Sequence, residues 1–74
     1  GQFEMVVTLP SNTIMGVAIY DYSGKKVLDL GSLRTDEMSQ TMIKKVNASV
    51  LPQGMYLLKM YNQNKQITKP FLKS

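Results

Sequence analysis

Apolar and polar residues alternate with a period of two through most of this chain. In "FEMVVTL", Phe3, Met5, Val7 and Leu9 fall on one face while Glu4, Val6 and Thr8 take the other, the pattern of a half-buried β-strand. Pro10, Ser11 and Asn12 end it with three turn formers. A second strand follows in "GVAIYDY", Gly16 to Tyr22, where Val17 and Ile19 oppose Ala18, Tyr20 and Tyr22. Ser23-Gly24 supplies a short turn into "KKVLDL", Lys25 to Leu30, so these two runs form a β-hairpin. The stretch from Gly31 to Gln40, "GSLRTDEMSQ", is too short and too poorly patterned for a helix. It is expected to be a loop with a polar tip at Thr35, Asp36 and Glu37. "TMIKKV", Thr41 to Val46, is a strand whose paired lysines imply partial exposure.

From Asn47 the chain curls into "LPQGMYLLKM". Pro52 fixes its own φ, and Gly54 can adopt the positive φ that closes a turn. In the strand that follows, Met55, Leu57, Lys59 and Tyr61 alternate with Tyr56, Leu58 and Met60. Both faces are largely apolar, which predicts a central strand covered on both sides. "NQNK", Asn62 to Lys65, makes another tight turn, with Asn62 and Asn64 both able to enter the left-handed region. The final strand, Gln66 to Lys73, contains Pro70, which cannot donate to a ladder and so belongs at an edge or a bulge. Short strands at such spacing predict an all-β fold: a small antiparallel immunoglobulin-like β-sandwich of six to seven strands. Phe3, Val7, Val17, Ile19, Leu28, Ile43, Leu57 and Leu58 are the expected core residues.

Composition narrows the chemistry. Seventy-four residues make a single domain, and the chain holds neither cysteine nor histidine. Disulfides are excluded, and zinc would have only carboxylates and amides to bind. Six methionines fill gaps softly, so modest stability is expected. No run approaches the roughly 20 apolar residues of a membrane-spanning helix, and no signal peptide is visible. The net charge of +4 is carried almost entirely by lysine, Arg34 being the one arginine. That balance argues against nucleic acid, whose bidentate recognition favours arginine.

Catalysis finds no support. Each serine lacks a histidine to activate it, and Ser23 beside Lys25 is better explained as turn chemistry than as a dyad. The acids are too scattered for a calcium site, so no metal or cofactor is expected. Lysines interleaved with Tyr20, Tyr22, Tyr56 and Tyr61 imitate a single-strand binding surface, but Tyr56 fits a buried ring with its hydroxyl on a backbone partner. Lys25-Lys26 and Lys44-Lys45 are simplest as edge-protecting charges, and Asn47-Ala48-Ser49 matches an N-glycosylation pattern that is common by chance.

Taken in order, "VAIYDYSGKKVL", "VNASVLPQGMYLLKM" and "KPFLK" resemble the C-terminal sorting domains of type IX secretion cargo, the type A or Por secretion group. Gly1-Gln2-Phe3 fit the start of that pattern, and Tyr20, Asp21, Gly24, Lys25 and Val27 fit its hairpin. Asn47, Leu51, Gly54, Tyr56 and Lys59 fit its central motif, and Phe71-Leu72-Lys73 its last strand. A Pro-Asn-Pro element that usually precedes the first glycine is missing, and Pro70 is unusual so near the end.

The resemblance implies that residues 1–74 are one sorting domain, a fragment of a larger exported protein. Tyr20, Asp21, Gly24, Lys25, Asn47, Leu51, Gly54, Tyr56 and Lys59 would be its sorting-motif residues. Lys69, Phe71, Leu72 and Lys73 would be read by the machinery. The implied partners are the type IX translocon, its shuttle proteins and a sortase-like peptidase, and the implied route runs through the periplasm to the outer-membrane surface or beyond. Cargo and machinery component both stay open, as does oligomeric state. A different class is an immunoglobulin-like accessory module binding carbohydrate or protein. Such a module would show exposed aromatics on one face or on its loops, and the tips "SNT", "RTDEM" and "NQNK" carry none.

Overall fold

The computed structural model describes residues 2–38 and 41–74, and the side chains of these except Gln2 and Met42. Six strands follow one another: β1 (Gln2–Thr8), β2 (Ile14–Asp21), β3 (Lys26–Arg34), β4 (Thr41–Asn47), β5 (Gly54–Tyr61) and β6 (Gln66–Lys73). No helix interrupts them among the described residues. They form two antiparallel sheets, a small one of order β1-β4 and a larger one of order β3-β2-β5-β6. The all-β sandwich expected from alternation is the fold observed.

The core lies between the sheets. Val7 and Leu9 from the first strand and its exit, and Val46 from β4, meet Met15, Val17 and Ile19 of β2, Leu33 of β3, and Tyr56, Leu58 and Met60 of β5. Phe3, Leu28, Ile67 and Phe71 pack around this cluster half-buried. Alternation explains the set; Ala18 of β2, on the opposite row, is buried as well.

Ile43 departs from expectation. It is 65% exposed and stands opposite Val6, itself exposed, on the outer face of the small sheet. Its neighbours Lys44 and Val46 take the inner face, so register, not hydrophobicity, decides its position. Leu57 is likewise only half-buried. β5 is central in its sheet, pairing β2 on one side and β6 on the other, yet only Tyr56, Leu58 and Met60 are covered. The opposite row from Met55 to Tyr61 lies on the outer face, which no second layer covers.

The stretch expected to be a loop from Gly31 begins as strand. β3 continues to Arg34 because Gly31, at φ 81°, forms a β-bulge: Leu30 and Gly31 together oppose the single Val17. Asp29 steadies the bulge by accepting the Gly31 N–H at 2.8 Å. Thr35, expected at a polar tip, is 2% exposed. Its hydroxyl donates to the Pro10 carbonyl at 2.5 Å and accepts the Thr13 N–H at 3.0 Å, locking the β1–β2 connection to the end of β3. Asp36 and Glu37 are exposed as expected, while Ser39 and Gln40 lie outside the described residues.

Pro70 sits in β6, an edge strand, opposite Leu57 in a register that runs unbroken from Gly54↔Lys73 to Tyr61↔Gln66. Its missing N–H therefore falls on the free side, without a bulge. The Asn62–Lys65 turn closes through Asn62 N–H to the Lys65 carbonyl and Asn64 N–H to Asn62 Oδ1. Neither asparagine takes a positive φ, so their amides shape the turn and their backbones do not.

Candidate sorting surface

Two turns organise the residues singled out in the sequence. In the first, Asp21 ends β2 and its Oδ1 accepts three hydrogen bonds, from the Ser23 N–H (2.9 Å), the Ser23 hydroxyl (2.6 Å) and the Lys25 N–H (3.0 Å). The hydroxyl of Ser23, followed by the Lys25 amide, holds the Asp21 carboxyl below the usual carboxylate range. Gly24 supplies φ 93°, and its N–H returns to the Asp21 carbonyl. Aspartate and glycine at this spacing are thus the two demands of one turn. Ser23 is committed to it and has no lysine partner of its own.

The second turn leads into β5. Leu51 N–H bonds the Ala48 carbonyl, and the Leu51 side chain is buried. The Tyr56 hydroxyl reaches back to donate to the Pro52 carbonyl at 2.5 Å, so the ring is buried with its polar tip satisfied, as its sequence setting suggested. Gly54 holds φ 152° between them. Leu51, Gly54 and Tyr56 are therefore an anchor, a permissive backbone and a strap across one corner. Asn47 caps the approach by accepting the Ser49 N–H.

Register brings these turns together. Asp21 pairs with Tyr56 across β2 and β5, and Tyr56 pairs with Phe71 across β5 and β6. The Tyr56 and Phe71 rings stack at 5.8 Å, and Phe71 meets Phe3 of the other sheet at 5.4 Å. Gly54 pairs with Lys73. Asp21, Gly24, Lys25, Asn47, Leu51, Gly54, Tyr56, Phe71, Leu72 and Lys73 thus share one pole of the sandwich. Lys59 and Tyr20 stand farther along the outer face, with the Lys59 ammonium 4.6 Å from the Tyr20 ring centre. Lys69 lies midway along β6 on the inner-face row, opposite Leu58.

The terminal strand divides by face. Phe71 packs into the structure, whereas Leu72 is 67% exposed and pairs with the exposed Met55. Met55 carried no sequence signal beyond its place in the alternation. Gly16 was also missed: the Tyr61 ring lies over it so closely that a Cβ there would come within 2.7 Å of the ring. The signal available was a glycine inside a strand otherwise rich in side chains. Among the described residues no three acids, cysteines or histidines gather to hold a metal, and no helix is long and apolar enough to cross a membrane.

Over residues 2–74, the chain matches the family model described as secretion system C-terminal sorting domain. It belongs to that family. The sorting domain thus carries the C-terminal signal of the type IX secretion system, and the signal implies interaction with that machinery and export to the outer membrane or cell surface. The family is a sorting signal and not a catalytic domain. Neither curated proteins nor solved structures provide a match to the sorting domain.

Proposed function

We propose that the translocation machinery reads this sorting domain at its motif pole, through β6 and the start of β5. Leu72 and Met55 present an exposed apolar pair there, with Lys73 beside them and Lys69 farther along the same strand. The observation that carries this reading is the split of the terminal strand, in which Phe71 is held by two rings while Leu72 is left outside. An edge strand also offers unpaired backbone groups to a partner that adds a strand of its own. Tyr20, Asp21, Gly24, Lys25, Asn47, Leu51, Gly54, Tyr56 and Lys59 act by building the platform that presents this edge.

The partners are the translocon and its shuttle proteins, with a sortase-like peptidase acting later on a route through the periplasm. Residues 1–74 work as one unit within a larger exported protein. The domain is a label and has no catalytic role, in keeping with the commitment of Ser23 to Asp21. The rings of Tyr20 and Tyr61 are engaged by Lys59 and Gly16, leaving Tyr22 as a single exposed ring among the described residues, at the β2–β3 turn, which favours sorting over a carbohydrate-stacking platform.

The test fuses the chain behind a periplasmic reporter in a type IX-competent host and compares Leu72→Glu with the parent. The variant fusion is expected to fold and to remain in the periplasm. Surface delivery equal to the parent overturns the assignment of the reading edge.

A further inference from the structure

The outer face of the larger sheet is apolar at one end and polar at the other. Register sets its rows. Met55 stands beside Leu72, Leu57 between Tyr20 and Pro70, Lys59 between Ala18 and Thr68, and Tyr61 between Gly16 and Gln66. The first two rows, at the motif pole, are apolar, whereas in the last the Tyr61 ring covers Gly16. Leu72 is 67% exposed and Met55 48%, Pro70 is exposed, and Leu57 and Tyr20 are half-buried. Tyr22, also exposed, stands at the same end in the β2–β3 turn. β1 and β4 form the other layer, across the core from this face.

Positive charge gathers at the same end. Lys25 and Lys26 of the β2–β3 hairpin, Lys59 beside the patch and Lys73 at the end of β6 have Asp21 and Asp29 as their neighbouring acids. Asp21 is turned into its own turn by three hydrogen bonds, and Asp29 lies 3.8 Å from Lys26. At the far pole Arg34 and Lys65 are balanced by Asp36 and Glu37. Much of the net charge of +4 therefore sits where the apolar side chains are exposed.

We propose that the sorting domain docks through this face on an anionic lipid surface. Leu72 and Met55 enter the boundary between head groups and acyl chains, Tyr20 and Tyr22 lie at head-group level, and Lys26, Lys59 and Lys73 meet phosphates. A flat sheet face with an apolar centre and a cationic margin suits a bilayer, which moulds itself to the protein. A second copy would set one lysine-rich end against another. The family's destination, the outer membrane or cell surface, supplies such a surface. The docking goes beyond recognition of β6 by the machinery, because it uses the whole apolar half of the face and needs no translocon.

The test cosediments the 74-residue chain with vesicles of phosphatidylcholine alone or mixed in equal parts with phosphatidylglycerol. The chain is expected to bind the mixed vesicles, reversibly and less tightly as salt is added, and to bind the neutral ones weakly. Leu72→Glu should weaken binding roughly tenfold or more, and Lys59→Gln about fivefold. Val6→Glu is the control, since Val6 is 68% exposed on the opposite layer and its replacement should leave binding unchanged. With spin-labelled lipid, methyl signals of Leu72 and Met55 should broaden, and those of Val6 and Ile43 should not. Equal binding to both vesicle types, equal weakening by Val6→Glu, or broadening centred on Val6 and Ile43 overturns the proposal. Burial of Leu72 by dimerisation of the chain alone assigns the patch to a second copy and also overturns it. Absence of vesicle binding, with Leu72→Glu still blocking delivery of the reporter fusion, overturns the docking alone and assigns the patch to the protein machinery. Vesicle binding with undiminished delivery of that fusion supports the docking and removes the reading edge instead.

Discussion

Asp21 takes three hydrogen bonds on one oxygen, and its carboxyl is held below its ordinary range. A depressed folded-state pKa means that the contribution is present above the unfolded value and is lost as pH falls through the folded one. Thermal melts of the parent and of Asp21→Asn should therefore differ near neutrality, the variant melting lower, and converge in acid. Two glycines make a contrasting pair. A Cβ at Gly54 would meet nothing within 4 Å, but the φ of 152° strains any side chain, so Gly54→Ala should cost more than about 1 kcal/mol in denaturant melts. At Gly16 the obstacle is the far end of the Tyr61 ring, which can swing aside. Gly16→Ala should cost less than Gly54→Ala and increase the solvent exposure of Tyr61, read by tyrosine fluorescence quenching. The aspartate and the turn glycine were legible in sequence because turn chemistry is local. The Gly16–Tyr61 contact was not, because it joins residues that only the β2–β5 register makes neighbours.

Strands were legible wherever alternation ran without interruption, as in β1 and β5. In β3 Gly31 resembles a terminator, and only pairing with β2 turns it into a bulge with Leu33 buried beyond it. Thr35 resembles part of a polar tip for a related reason: its partners, Pro10 and Thr13, lie more than twenty residues away. Thr35→Val keeps the shape and strands both backbone groups, so a loss of about 1–3 kcal/mol is expected in denaturant unfolding. Pro70 protects an edge. Pro70→Val restores an outward donor to β6 and should produce stronger concentration-dependent association than the parent in sedimentation velocity. The location of the candidate reading edge was thus visible from proline alone, but the division between Phe71 and Leu72 required knowing which face of β6 meets Phe3.

At the scale of the whole molecule, alternation announces a sandwich but not how strands are shared between sheets. The four-to-two division follows from long-range pairings, β1 with β4 and β2 with β5, that no local pattern encodes. Those pairings also impose an order in time. β5 is the strand that joins β2 to β6, and it is the fifth of six to be made. A chain that stops short of Tyr56 has no complete larger sheet, no strap from Tyr56 to Pro52, and no Phe71 to meet Phe3. The address is therefore also a certificate of completion: a ribosome that stalls upstream releases a product that cannot display it, and unfinished protein is withheld from the cell surface without any separate inspection.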